Sequence, residues 1–520
     1  MIIRQSIDFT QNQHGMWYGQ HHDRMKHQIS AVIHGPGARH FFWAHLVTWT
    51  LAALIGGWII WVFDSIGTSF VDSMFISVSA VTSTGLSTVP FFQLSTVQHA
   101  VVLFLVFIGG PVIDALYIVL LKWSLWRPVG SRQQSQDIIQ EHVMMISFRQ
   151  EQGAIAVAVW LLLMYLIGVQ LIAFVAFWLY LKWYSVDILD HNGITSPAWF
   201  SIFHTINGFN NSGFGLLSDS LVQFQRQSFP LVMLSILFMA GFTPFPIFLR
   251  WMTWITHQLM TMACNNHRAT ASLHYLLRNP RRITTAMFPS SYTRYLLGIL
   301  VLIWVIQLSD YLIFSWNCMP AEMNTLNKVI NSIFQVSSSR TAGFNTVNIS
   351  ALHPGTQVMI AIMMFISAIP VSVTTRSTRT KPGIGEEGEV EGISVGSQMK
   401  RMAFWDSTWL FLPFYLICTI EGDRLMNDPQ HFTYFKVLFE CCSAYGTVGL
   451  SLGYPGSLCS FSAQWSTASK LLLMVSMMLG RHRGFPDHLD QALLPTCSLS
   501  SRPFEVHSRV SSLMITQSIN

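Results

Sequence analysis

Apolar runs of roughly membrane length recur along the chain, and they limit most what it can fold into. An α-helix needs about 20 mainly apolar residues to cross the hydrocarbon core of a bilayer. Inside that core backbone polar groups must be satisfied within the segment, which favours helices. We therefore predict eight transmembrane helices, at residues 41–63, 99–121, 154–181, 229–249, 295–314, 356–375, 402–420 and 466–480.

The composition supports a membrane protein and argues against several other classes. Charged residues make up 11% of the chain and hydrophobic residues 51%, whereas about 25% charged is typical of soluble domains. The seven cysteines show no CxxC spacing, and the adjacent Cys441 and Cys442 lie in an apolar segment, which favours packed thiols over a zinc site. The phosphate-loop and HExxH motifs are missing from the sequence. We expect no enzyme activity, no cofactor and no nucleic-acid partner.

A glycine turn lies between the two apolar runs of each successive pair, after a short semi-polar segment. A single turn of this kind would be an ordinary loop, but four in the same position indicate an internal repeat of helix, re-entrant helix, turn and helix. The predicted fold is therefore an all-α integral membrane protein, with eight transmembrane helices and four re-entrant pore loops around a pseudo-fourfold axis. The turns are Thr84-Gly85, Ser212-Gly213, Ala342-Gly343 and Val448-Gly449.

The repeats alternate with polar segments that set the predicted orientation. Lysine and arginine concentrate in the polar segments between the repeats. By the positive-inside bias, these segments and both termini are predicted to be cytosolic. The histidines of residues 1–40 are irregularly spaced, which favours an unstructured tail over a metal site. We assign repeats A, B, C and D to residues 41–127, 154–250, 295–376 and 402–495. The polar segments are a histidine-rich tail (1–40), a linker (128–153), a basic loop (251–294), a charged linker (377–401) and a C-terminal tail (496–520).

The residues of the turns suit the binding of a dehydrated cation. Glycine allows backbone conformations that direct successive carbonyls inward, and it keeps a bore free of side chains. Rings of such carbonyls can replace the water shell of a monovalent cation, and each short helix would point the negative end of its dipole at the same axis. The predicted ligands are the backbone carbonyls of Thr84, Gly85, Ser212, Gly213, Ala342, Gly343, Val448 and Gly449.

These turns, with Phe203-His204 before the second and Phe334-Gln335 before the third, resemble the Trk/Ktr/HKT superfamily of potassium transporters. The segments 367–370, 480–486 and 489–495 are similar to its fungal Trk branch, and the resemblance covers residues 41–495. It implies channel-like potassium uptake across the plasma membrane and a homodimer with a pore in each subunit. Glycine in all four turns favours potassium, because a serine in the first turn is associated with sodium-preferring plant relatives.

The resemblance also implies roles for residues outside the turns. Lys470 matches a basic residue near the pore that would weaken ion binding; the alternative is a lysine that reaches from a helix end to the interface. Ser367 and Pro370 belong to a broken helix that relatives use as a gate below the filter. Arg481 would oppose cations at the cytosolic end of the last span, or would only anchor that end.

Two other functions remain open from the sequence. Selectivity depends on filter geometry that a sequence does not fix, so a sodium or weakly selective cation pathway is the first alternative. The second is a membrane sensor or regulatory paralogue without ion flux, which the four glycines disfavour. The short segment between repeats A and B departs from fungal relatives, which carry a long hydrophilic loop there.

Overall fold

The computed structural model describes residues 41–64, 66–125, 138–184, 196–263, 267–320, 322–378 and 395–483. Within these ranges all regular secondary structure is helical. The predictions for the histidine-rich tail, the C-terminal tail, the segment 484–495, residues 128–137 of the first linker and residues 379–394 of the second linker lie outside the described residues.

Each repeat places a short helix between longer apolar helices. Repeat A contains α1 (Phe41–Val62), α2 (Phe70–Val81), α3 (Thr96–Ile108) and α4 (Pro111–Leu125). Repeat B contains α5 (Ile138–Tyr184), α6 (Pro197–Phe209), α7 (Ser228–Gly241) and α8 (Phe245–Ala263). The following segment forms α9 (His267–Arg278) and α10 (Pro280–Ile283). Repeat C contains α11 (Ser290–Phe314), α12 (Thr325–Thr341), α13 (Pro354–Ile366) and α14 (Ile369–Ser377). Repeat D contains α15 (Val395–Ile420), α16 (Gly422–Asn427), α17 (Tyr434–Gly446) and α18 (Thr467–His482).

The spans confirm the predicted all-helical membrane fold. Among the described residues, five helical segments are long and apolar enough to cross a membrane, and two bent helix pairs bring the number to seven. The remaining predicted span corresponds to α18, which has 16 residues. The short helices α2, α6, α12 and α17 lie at the positions predicted for re-entrant segments.

Three of the closing helices are broken, and only the break in repeat C, at Ser367 and Pro370, was predicted. The pair α3 and α4 is bent by 55°, and the pair α7 and α8 by 88°. Pro111, Pro244 and Pro370 lie at or just after the three breaks. A proline has no backbone N–H and clashes with the preceding turn, so the hydrogen-bond ladder cannot continue through it. Each break therefore has a local cause in the sequence.

Two segments predicted as loops are largely helical where they are described. The helix α5 has 47 residues, a length of about 70 Å at 1.5 Å per residue, more than twice the bilayer core. Its first turns therefore extend beyond the membrane, into the predicted linker 128–153. The predicted basic loop 251–294 contains most of α8 together with α9 and α10.

Packing separates an interior from a surface that faces lipid. One buried cluster joins repeats A and B to part of repeat C and includes Phe203 and Phe344. A second joins α1 and α2 to repeats C and D and includes Phe75 and Val448. Large apolar side chains remain exposed along the outer helices, as a hydrocarbon solvent allows, among them Trp160, Ile172, Ile313 and Tyr415. The short helices and the turns lie in the interior.

Candidate ion-conduction site

The four short helices are buried although they carry many polar side chains. The N-cap side chains Ser69, Ser196 and Thr433 accept backbone N–H bonds at the first turns of α2, α6 and α17. In α12 every residue from Asn331 to Ser332 and from Phe334 to Thr341 is buried. Polar groups buried in a membrane protein need partners from the protein itself. The short helices are therefore interior pore helices.

Three of the pore helices end in the same way. Ser83, Asn211 and Thr447 have left-handed φ values of +52°, +56° and +51°. In each case the next residue donates its N–H to a carbonyl five positions back, as in a Schellman cap. These bonds join Thr84 to Ser79, Ser212 to Asn207 and Val448 to Ser443, at 2.7, 3.0 and 2.9 Å. In repeat C the helix instead continues through Thr341, and Gly343 donates to the carbonyl of Ser338 at 3.1 Å.

The four turn glycines form a closed ring. Each has a left-handed φ, at +91°, +72°, +75° and +91° in chain order. The space where a side chain would begin at each glycine is occupied by a carbonyl of the next repeat, and repeat D meets repeat A. A Cβ would lie 1.9 Å from Ser212 O at Gly85, 2.9 Å from Ala342 O at Gly213, 2.1 Å from Val448 O at Gly343 and 2.1 Å from Thr84 O at Gly449.

The ring therefore brings together all eight residues that the sequence predicted as cation ligands. The carbonyl oxygens of four of them, those preceding the glycines, lie at the junctions between neighbouring repeats. A side chain larger than hydrogen has no space at three of the glycines, so the positions require glycine for closeness as well as for conformation.

Hydrogen bonds behind the ring hold the turns in place. Gly85 N–H donates to Ser79 Oγ at 2.9 Å, and Gly449 N–H donates to Ser443 Oγ at 3.0 Å. Between repeats, Thr341 Oγ1 donates to Asn211 Oδ1 at 2.8 Å. The hydroxyl and amide groups of these side chains thus hold the turns, and with them the carbonyl groups, in position.

A cavity of about 180 Å³ adjoins the ring. Thr447, which precedes the turn Val448-Gly449, is one of the residues that line this cavity. All four repeats contribute to its wall, mainly through the breaks of the closing helices. Its lining includes Pro111, Phe242, Ala368, Ser372, Gly480 and Arg481. The lining is mostly apolar, and a cation that leaves the ring on this side would enter it.

Arg481 is the buried cation of this cavity. Its side chain is 4% exposed and its guanidinium lies 3.2 Å from Asp114 Oδ2. It also donates to the carbonyl of Gly109 and lies 5.5 Å from the ring centre of Trp49. The sequence analysis did not identify Asp114, although a carboxylate inside an apolar run is itself a signal of function in a membrane.

Asp114 also connects the cavity to a pair of histidines. His45 Nε2 lies 3.4 Å from Asp114 Oδ1, and His45 Nδ1 lies 3.1 Å from His482 Nε2. His482 Nδ1 bonds to the carbonyl of Met478 at 2.7 Å. The helices α1, α4 and α18 are thereby joined beside Arg481.

Glycines at the ends of α3 and α7 and in the last turn of α18 bring these helices against the pore helices. A Cβ on Gly109, Gly241 or Gly480 would overlap the carbonyl oxygen of Val81, Phe209 or Tyr445, respectively. None of these glycines was predicted to be a functional residue, although each lies at the end of an apolar run. Ser367, buried between α13 and α14, takes the corresponding place in repeat C and donates to Met364 O at 3.1 Å. Pro370 follows it in the first turn of α14.

Lys470 lies at the opposite end of α18 from Arg481. Their separation of eleven positions corresponds to about 16 Å of helix. Its Nζ forms an ion pair with Asp72 Oδ1 at 2.7 Å, with side chains 12% and 19% exposed. Asp72 belongs to the first turn of pore helix α2. The structure thus places Lys470 on the side from which the pore helices enter, away from the cavity.

Comparison with known proteins agrees with this architecture. The family model TrkH, described as a cation transport protein, matches residues 116–502. The potassium transporter TRK1 of Candida albicans is 33% identical over 358 residues, covering 66% of this chain and 34% of the relative. The low-affinity potassium transport protein of Saccharomyces cerevisiae is 32% identical over 388 residues (66% and 43%). Potassium transport protein 1 of Schizosaccharomyces pombe is 36% identical over 340 residues (64% and 40%).

The chain spans only about a third to two fifths of the length of these relatives. Among solved structures, the potassium transporter TrkH from Vibrio parahaemolyticus matches with a TM-score of 0.55 at 16% sequence identity. The match covers 87% of this chain and 84% of that chain. This likeness concerns the fold.

Proposed function

The chain belongs to the TrkH family of cation transport proteins, and from that premise we propose that it carries potassium into the cell through the ring of glycine turns. The observation that carries the proposal is the closure of the ring, in which repeat D meets repeat A. A single chain thereby supplies a fourfold set of backbone carbonyls, the ligand type that replaces the hydration shell of potassium.

The surroundings of the ring favour a cation as the substrate. The C-terminal ends of α2, α6, α12 and α17 lead into the turns, so the negative ends of four helix dipoles converge there. The glycine positions place no side chain in the carbonyl ring. A cation in the ring is stabilised without a fixed negative side chain that would bind it too tightly to leave.

The orientation of the protein follows from the side on which basic residues lie. The start of α11 and the helices α8 to α10 carry arginines and lie opposite the side from which the pore helices enter. By the positive-inside bias we place this face, and both termini, in the cytosol of a cell whose plasma membrane holds the protein. An inside-negative potential supplies about 2.3 kcal/mol per charge per 100 mV, which drives potassium inward without ATP.

In the proposed path, Arg481 is the element that controls release into the cytosol. Its guanidinium lines the cavity next to the ring and repels a cation there, while Asp114 partly neutralises it. A dehydrated ion that reaches the cavity regains water and passes this charge. As the resemblance implies, we propose that the chain assembles as a homodimer with a pore in each subunit.

Potassium transport is favoured over a sodium pathway and over a sensor without ion flux, each for a separate reason. The relatives at 32–36% identity are named as potassium transporters, which disfavours a sodium pathway. A sensor without ion flux does not need four glycines whose Cβ positions are closed by carbonyls.

The test is growth of a yeast strain that lacks potassium uptake, on limiting potassium, with rubidium and sodium tracer uptake measured in parallel. We expect rescue, with rubidium uptake that sodium barely inhibits. The matched control is Gly343→Leu, which should reach the plasma membrane and fail to rescue. Wild-type protein at the plasma membrane without rescue would overturn the proposal and favour a regulatory role, whereas sodium entry without rescue would favour the sodium pathway.

A further inference from the structure

A second cavity lies outside the ring, where the first half of α8, the end of α9 and the start of α11 meet. Its volume is about 400 Å³. Its lining includes Arg250, Arg294, Trp251, Trp254, Ser290 and Thr293, and none of its lining residues is acidic. We call it the arginine–tryptophan pocket. The function proposed above does not use it.

The position of α11 places the pocket at the membrane surface. The helix α11 is one of the spans, and Ser290 is its first residue. The other end of α11 leads to pore helix α12, so the pocket lies on the face opposite the pore-helix side. The indoles of Trp251 and Trp254 are 45% and 53% exposed. Tryptophan favours the depth of the lipid headgroups, where an apolar ring meets polar groups.

The two arginines give the pocket a positive charge. Arg250 donates one N–H, from Nη1, to the carbonyl of Phe288 at 2.6 Å. A guanidinium has five N–H donors, so this bond uses only one of them. Arg294 is exposed on the first turns of α11. The sequence from 245 to 294 contains no aspartate or glutamate. Two guanidinium groups beside one cavity are therefore not balanced by an acidic residue of their own segment.

The start of α11 adds a further feature that suits an anion. Its N-cap is Pro289, and no side chain caps the first turn. The first N–H groups of a helix have no partner within the helix and favour a negative charge. This feature supplements the arginines and the tryptophans.

We propose that the arginine–tryptophan pocket binds the phosphate group of an anionic phospholipid from the adjacent leaflet. Arginine binds phosphate oxygens through paired N–H donors, and basic pockets between helices at a membrane surface suit acidic headgroups. The half-exposed indoles lie against the glycerol and the first acyl carbons. The phosphate is held between Arg250 and Arg294, at the open first turn of α11.

The test uses the full-length protein purified in a neutral detergent, with binding measured by native mass spectrometry. The probes are dioctanoyl phosphatidic acid, dioctanoyl phosphatidylcholine and inorganic phosphate. We expect saturable binding of the phosphatidic acid by the wild type. The Arg294→Gln variant should bind it about tenfold more weakly, because one charge-assisted contact to the phosphate is lost. Arg268→Gln, at an exposed arginine of α9 outside the pocket, is the matched control and should bind like the wild type.

Each other outcome decides against the proposal. Equal affinities of the Arg294→Gln and Arg268→Gln variants would mean that the pocket does not hold the phosphate. Equal binding of phosphatidylcholine would indicate an apolar groove without recognition of charge. Binding of inorganic phosphate as tightly as the lipid would identify a site for a soluble anion. Because Arg294 is exposed, its replacement should leave the fold intact, which thermal unfolding checks, and the binding readout does not depend on transport.

Discussion

Replacement of the ring glycines by alanine should damage transport by unequal amounts, because the space at the four positions differs. All four have left-handed φ values between +72° and +91°, so each alanine bears a similar conformational cost of about 1–2 kcal/mol. The steric cost is not shared. A Cβ would lie 2.1 Å from Val448 O at Gly343, but 2.9 Å from Ala342 O at Gly213.

The required movement follows from these distances. A Cβ is hardly ever found closer than 3.0 Å to another heavy atom, so the Val448 carbonyl must move by at least 3.0 − 2.1 = 0.9 Å in the Gly343→Ala variant. The corresponding movement of the Ala342 carbonyl in Gly213→Ala is 3.0 − 2.9 = 0.1 Å. Both carbonyls belong to the proposed ligand ring, where selectivity depends on the arrangement of the oxygens.

We expect rubidium uptake per copy at the membrane to fall at least about tenfold in Gly343→Ala, which needs only about 1.4 kcal/mol of added barrier. Gly213→Ala should retain more uptake and more discrimination against sodium than Gly343→Ala. Gly67→Ala is the control for the conformational cost alone, because Gly67 has a φ of +84° and no atom within 4 Å of its Cβ position. Equal losses in Gly213→Ala and Gly343→Ala, or full activity of both, would refute this reasoning.

Three ion pairs give further predictions. Arg481→Gln should raise rubidium uptake severalfold, because a buried repelling charge is removed from the cavity, and Asp114→Asn should lower it; changes in the same direction would indicate a structural pair only. In a double-mutant cycle with Lys470→Met and Asp72→Asn, the rubidium KM values should be non-additive because the two side chains are in contact. Additive effects would instead favour a direct action of Lys470 on the ion. Lys122 and Glu151 form a pair at 2.8 Å with both side chains 1% exposed. Lys122→Met should cost about 3–5 kcal/mol of stability and a second change, Glu151→Met, should restore much of it. Thermal unfolding in detergent checks this, and a double variant no more stable than the single one would contradict it.

The filter could be predicted from the sequence because its requirements are local. In a turn such as Ser212-Gly213, the glycine itself indicates a left-handed backbone conformation. The recurrence of glycine in four equivalent turns indicates that they form one common site. The cavity below the ring could not be predicted in the same way. Asp114 and Arg481 are separated by 367 positions, and neither carries a sign of its partner in the sequence.

The sequence by itself determined the spans and the four turns, and it contains the prolines that break the closing helices. Apolar length, left-handed glycine and the missing N–H of proline act within a few residues, so they can be read without knowledge of the fold. Only the tertiary structure decided that the repeats close in the order A, B, C, D, and that Lys470 pairs with Asp72 across 398 positions. It also decided that Arg481 lies inside the cavity. These contacts depend on how distant helices pack. The partner of a charged side chain at the end of a span is the charged residue of a neighbouring repeat that lies at the same depth of the membrane, and local sequence does not identify that residue.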